Sequence, residues 1–205
     1  MGYSSFSNLK KVVQNFGITV ESTSFFEDSE IQRITPSDWL LTTFQRANDL
    51  GFDSEKERSE RLVAPILSEL SENNKGQITI YSGHELNVDK DLGLVGECDY
   101  LLTLGKKVLD FVHTPIFSIV EAKKQDIDYG TAQCAAQMIG AKRYNEEDGN
   151  ATLLIYGATT DGEKWRFFRL RDKNLEIHQT LYYTKEIDLL IGVLQFILND
   201  CKKFL

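Results

Sequence analysis

Ile116-Phe117-Ser118-Ile119-Val120-Glu121-Ala122-Lys123 is an apolar run that ends on a carboxylate and an ammonium. In an extended strand, a period of two puts Phe117, Ile119, Glu121 and Lys123 on one face. Two buried-type side chains therefore lead directly into two charges, where a half-buried strand would keep charge on its polar face. One strand earlier, the same counting places Val95, Glu97 and Asp99 together, with Cys98, Tyr100 and Leu102 opposite. Asp99 and Glu121 can then meet across neighbouring strands, with Lys123 beside them.

Outward from this pair the chain reads as alternating elements. The first fifty residues read as helices, with Thr35-Pro36-Ser37-Asp38 as a start (Pro36 first in the helix) and Gly51 as a stop. Ser54-x-x-Glu57 is a capping box opening a longer helix, which Pro65 should kink. Period-two segments follow at 77–81, 85–88, 97–104 and 116–123, then a helix at 130–144. Strands are expected at 151–158, 164–170 and 175–180, before a closing amphipathic helix over 187–198. The expected class is α/β (α+β), a mixed central sheet flanked by helices. Residues 1–53 form a helical extension packed on a domain of residues 54–205.

Composition narrows the function classes. The 205 residues are 41% hydrophobic and 26% charged, which excludes a disordered or collagen-like chain. The net charge of −8 argues against a nucleic-acid coat or a membrane-surface binder. Three scattered cysteines with no C-x-x-C suggest neither a disulfide framework nor a zinc knuckle. The start lacks the apolar stretch of a signal peptide, and the longest apolar run is too short to span a bilayer, so a cytoplasmic protein is expected. His84, His113 and His178 lack metal-ligand spacing, and neither a P-loop nor a G-x-S-x-G elbow is present.

The acid-x-Lys tripeptide alone means nothing. Chance yields about two in a chain of this composition, and the second, Asp200-x-Lys202, falls in the closing helix. Context separates Glu121: a strand, an apolar approach and an acid 22 positions upstream. Two carboxylates offer hard oxygen ligands suited to Mg²⁺, which lowers the pKa of water and offsets phosphoryl charge.

This arrangement resembles the PD-(D/E)xK nuclease superfamily, with its restriction-endonuclease-like fold. Over residues 156–165 it is also similar to the nuclease domains of type I restriction subunits. The resemblance implies a metal-dependent nuclease hydrolysing DNA phosphodiesters in restriction, defence or repair. It implies Mg²⁺ (or Mn²⁺) held by Asp99, Glu121 and the Ala122 carbonyl, with Lys123 orienting water. Glu60 matches the helical glutamate, with Glu57 its competitor one turn earlier; Gln133 matches a glutamine on the following helix. Cys98 replaces the motif's proline, and Gln137 stands where one branch has tyrosine. Lys124, Arg166, Arg169 and Arg171 are candidate contacts to the nucleic acid, within a basic stretch over 164–173. A homodimer or a place in a larger complex is compatible with this reading. The rival is a catalytically silent, nuclease-like DNA- or protein-binding module; an acidic DNA mimic fits the charge but not the carboxylate–lysine arrangement.

Overall fold

Ser37, Ser54 and Asn8 each accept backbone N–H groups from a first helical turn, and these caps set where three helices begin. The computed structural model describes residues 2–107, 111–124, 126–150 and 154–203. The helices are α1 (Leu9–Phe16), α2 (Asp38–Leu50), α3 (Glu55–Arg58), α4 (Ala64–Asn73), α5 (Thr131–Glu147) and α6 (Ile187–Lys202). The strands are β1 (Thr19–Thr23), β2 (Ile78–Glu85), β3 (Glu97–Leu104), β4 (Ile116–Ala122), β5 (Leu154–Thr160), β6 (Lys164–Arg171), β7 (Asn174–His178) and β8 (Tyr182–Tyr183).

All eight strands form one mixed sheet in the order β1-β7-β6-β5-β4-β3-β2, with β8 pairing beside β7 on β6. Among the described residues, only β1–β7 and β4–β5 pair in parallel. The β4–β5 connection carries α5, as a parallel crossover requires. Helix α5 covers one face of the sheet with α1 and Tyr3; α4 and α6 cover the other. Strands β4 and β5 are buried throughout, as strands covered on both faces must be. The expected mixed sheet with flanking helices is present.

Several local expectations need correction. The first fifty residues are not all helical: β1 lies among them and completes the sheet edge through β7, 155 positions away at Thr19–Asn174. Ser37, not Thr35, caps α2, so Pro36 precedes the helix instead of opening it. The disruption expected from Pro65 takes the form of a π turn over Ser59–Val63. Pro65 has no N–H to return to the preceding turn, and the widened turn absorbs that loss. In place of strands at 77–81 and 85–88 there is one, β2 (Ile78–Glu85), and 86–88 are not strand; β8 is an additional strand. The beginning of the strand expected at 151–158 lies outside the described residues; β5 then runs on to Thr160.

Two facing assignments also differ. The β3–β4 register slips between Leu102 and Thr103, leaving Phe117 as an extra residue. That bulge turns Phe117 into the cluster with α4 and α6, while Ile119 packs beneath α5. Cys98 likewise packs on the α5 side with Leu101, away from Tyr100 and Leu102. Cys98, Cys134 and Cys201 are free and buried.

Candidate active site

Strands β3 and β4 deliver the central residues to one end of the sheet. Tyr100 pairs with Val120, so one step further the register sets Asp99 opposite Glu121. Beyond Glu121 the row continues through Thr159 of β5 to Arg166 of β6. The Ala122 N–H donates to Asp99 Oδ2 at 2.7 Å and fixes that carboxylate across the end of β4. Lys123 leaves the strand with its N–H donating to the Thr160 carbonyl at 2.7 Å. Its ammonium returns to Glu121 Oε1 at 2.6 Å and lies 3.4 Å from Gln133 Oε1 on α5. Gly130 lets the lysine stem pass: a Cβ there would sit 3.1 Å from both Lys123 Cγ and Thr159 Cγ2.

Asp99, Glu121, Ala122, Lys123 and Gln133 thus come together as the sequence pattern expects. Gln137, considered only as a departure from a family branch, joins them: its Nε2 donates to Glu121 Oε2 at 2.8 Å. It lies one turn after Gln133, and that helical spacing was the available signal. Glu121 is 1% exposed, and its two oxygens are held by Lys123 and Gln137. Beside it, Gln137 Oε1 and Thr159 Oγ1 are buried with no hydrogen-bond partner among the described residues.

Burial, reinforced by the neighbouring Asp99 charge, pushes the Glu121 carboxyl up to about 7. Burial also raises Asp99, against the pull of the Ala122 N–H and of Lys123. For Lys123, burial disfavours the ammonium, but Glu121's charge and hydrogen bond outweigh it and raise its pKa. The result is two like charges crowded at the end of a sheet with one cation between them.

In front of Asp99 opens a cavity of about 390 Å³, lined by Glu55, Ser59, Glu60, Glu97, Asp99 and Ala122 among others. Glu60 sits at its mouth, its side chain 63% exposed and 3.8 Å from Lys56. Its competitor Glu57 is occupied in the capping box with Ser54 and in an ion pair with Arg61. Glu55, read from sequence only as part of a helix start, lines the cavity and accepts from the Lys124 N–H at 3.1 Å. Glu97 also lines it, and the period-two pattern of β3 already paired it with Asp99.

The basic candidates do not gather on one face. Arg166 shares the α5 side of β6 with Phe168 and Leu170, near the site, and pairs with Asp128 at 3.0 Å. Arg169 and Arg171 lie an odd number of residues away, so they point to the other face. Arg169 is locked by two bonds to Glu176, at 2.5 and 2.8 Å, and stacks over Phe25. Its guanidinium is thus committed within the fold. Arg171 is exposed at the far end of β6, about 17 Å along the strand from Arg166. Lys124 is exposed beside the cavity.

Among the described residues no group of three or more His, Cys, Asp and Glu side chains is arranged to hold a metal ion. The set expected from sequence has two carboxylates and one backbone carbonyl. Its donor chemistry fits a hard divalent cation, since all three are oxygens and a cation would offset the burial of the two carboxylates. No family model, curated protein or solved structure matches this chain. No helix among the described residues is long and apolar enough to cross a membrane.

Proposed function

We propose that this chain is a metal-dependent nuclease of the PD-(D/E)xK type, with a restriction-endonuclease-like core, that hydrolyses DNA phosphodiester bonds in the cytoplasm. The observation that carries the reading is the 2.6 Å bond between Lys123 and Glu121, beside Asp99 tied to the Ala122 amide. A helix precedes β2, the aspartate and the E-x-K tripeptide lie on adjacent strands, and Gln133 follows on α5.

Asp99, Glu121 and the Ala122 carbonyl would hold Mg²⁺ or Mn²⁺, which supplies Lewis acidity and a more acidic water. Lys123 orients the attacking water and offsets charge on the phosphoryl oxygens. Gln137 and Gln133 hold Glu121 and Lys123 in place, and Glu60 stands outside as a further acid at the cavity mouth. Arg166 and Lys124 are the remaining candidates for a phosphate contact.

One observation favours a catalytically silent module instead: Glu121 is closed off by Lys123 and Gln137. Calorimetric titration with Mn²⁺ separates the readings. A site present in the wild type and lost in Asp99→Ala, with chelator-sensitive cleavage of supercoiled, linear, single-stranded or branched DNA, supports the enzyme. Metal binding without cleavage of any substrate supports the silent module. Gel filtration with light scattering distinguishes a monomer from a homodimer or a larger assembly.

A further inference from the structure

The cavity before Asp99 does not end at Tyr100. It shares Ala64, Ser82 and Tyr100 with a second cavity of about 580 Å³, which runs between α4 and the edge strand β2. The combined groove is graded. Its first end is acidic, with Asp99, Glu97 and Glu55. Its middle has an apolar floor of Ile78, Ile80 and Tyr100, with the hydroxyls of Ser68, Ser71 and Thr79 beside it. Its far end carries exposed Lys106 and Lys107, the Lys107 ammonium lying 5.5 Å from the centre of the Tyr81 ring, and the one acid lining it, Glu72, is paired with Lys75 at 2.9 Å.

We infer that this groove is the track for a single nucleic-acid strand, running from Asp99 to Lys106 and Lys107. The inference rests on the nuclease reading for its reactive end. Charge complementarity selects the occupant: the two lysines meet backbone phosphates, the apolar floor meets base faces, and the scissile phosphate lies at the acidic end with the cation. Cavities of this volume hold a ligand of drug-like size, that is, a few nucleotides and not a double helix.

The test is fluorescence anisotropy with labelled single-stranded and duplex oligonucleotides, in Ca²⁺, over a range of salt. The full-length Lys106→Glu/Lys107→Glu variant is compared with Lys10→Glu/Lys11→Glu, an equal charge change on α1 across the sheet. The expected result is a single-strand preference, lost tenfold or more in the groove variant only. Its salt slope should fall by about 1.4, as two single-strand phosphate contacts require. Ser68→Trp, which fills the groove without changing charge, should weaken binding while the wild-type slope is kept. Equal affinities in wild type and groove variant, equal losses in both charge variants, preference for duplex, or no binding by wild type overturns the inference. Binding by wild type with no cleavage once Mg²⁺ or Mn²⁺ replaces Ca²⁺ overturns the nuclease reading and leaves the groove standing.

Discussion

The Ala122 amide and the Asp99 carboxylate are joined by a 2.7 Å hydrogen bond between adjacent strands. This bond ties the acid on β3 to the backbone that separates Glu121 from Lys123. The position of the aspartate and the direction of the tripeptide are therefore a single geometric fact. A change at either strand end reaches both carboxylates.

Lys123→Ala should abolish cleavage while the fold persists, because the ammonium lies at the sheet end and not in the core. Removing it takes away the charge that holds Glu121 ionised, so the Glu121 carboxyl should move further above about 7. Circular dichroism, a cleavage assay and carboxyl titration by NMR check the three parts. Retained cleavage would refute the assigned role.

Gln137→Leu should reduce turnover more than it changes substrate affinity, since Gln137 touches Glu121 and lines neither cavity of the groove. Gln137→Glu should be more severe, because it puts a second carboxylate against a buried one. The measurement is kcat and KM for both variants, with thermal melting to follow the fold.

Arg169→Ala should cost about 3 kcal/mol or more in stability by leaving Glu176 buried without its partner. It should leave nucleic-acid affinity per folded molecule unchanged. Urea unfolding and anisotropy together separate this from a phosphate contact.

Gly192→Ala should destabilise the protein without touching the site. A Cβ at this point of α6 would run into the Gln32 carbonyl and come within 2.9 Å of Ile31 Cγ2. Backbone cannot step aside as a side-chain tip can, so a loss on the order of 1–3 kcal/mol is expected in urea unfolding.

Stability should fall as pH drops from about 6.5 to about 4 through His178. Burial lowers this imidazole from 6.5 to about 4; nearby Arg169 adds to that and Asp28 opposes it. The unfolded chain takes up the proton first, so stability is full above pH 6.5 and is lost on acidification. The slope is up to about 1.4 kcal/mol per pH unit until the folded state also protonates. The neutral ring accepts from the Phe25 N–H and shares a proton with the Tyr182 hydroxyl. Urea midpoints across this range for wild type and His178→Gln should converge as pH falls.

Much of the sheet and the central trio could be read from sequence, because period two is a local property of β3 and β4. Asp99, Glu121 and Lys123 are revealed by charge where alternation demands apolar residues. Gln137 was harder: its value depends on which helix crosses β4, a tertiary fact. The same period, carried along β6, divides Arg166 from Arg169 and Arg171, a division that the density of basic residues over 164–173 does not show. Phe117 was assigned to the wrong face because a bulge leaves no mark in composition. Strand β1 was missed because Thr19–Thr23 is almost wholly exposed and has no apolar face to announce it.

That exposed strand has a consequence for how the molecule is made. Its neighbour in the sheet, β7, leaves the ribosome about 150 residues later, at ~5–20 residues per second. The amino-terminal segment must wait several seconds, at least, before its partner exists. Until then, Val20 and the unpaired backbone beside it are a free ribbon edge that another nascent chain could capture. When β7 arrives, its own outer rim is sealed by a strand made about 150 residues earlier. Closure of the sheet is thus a long-range event that joins strands about 150 positions apart.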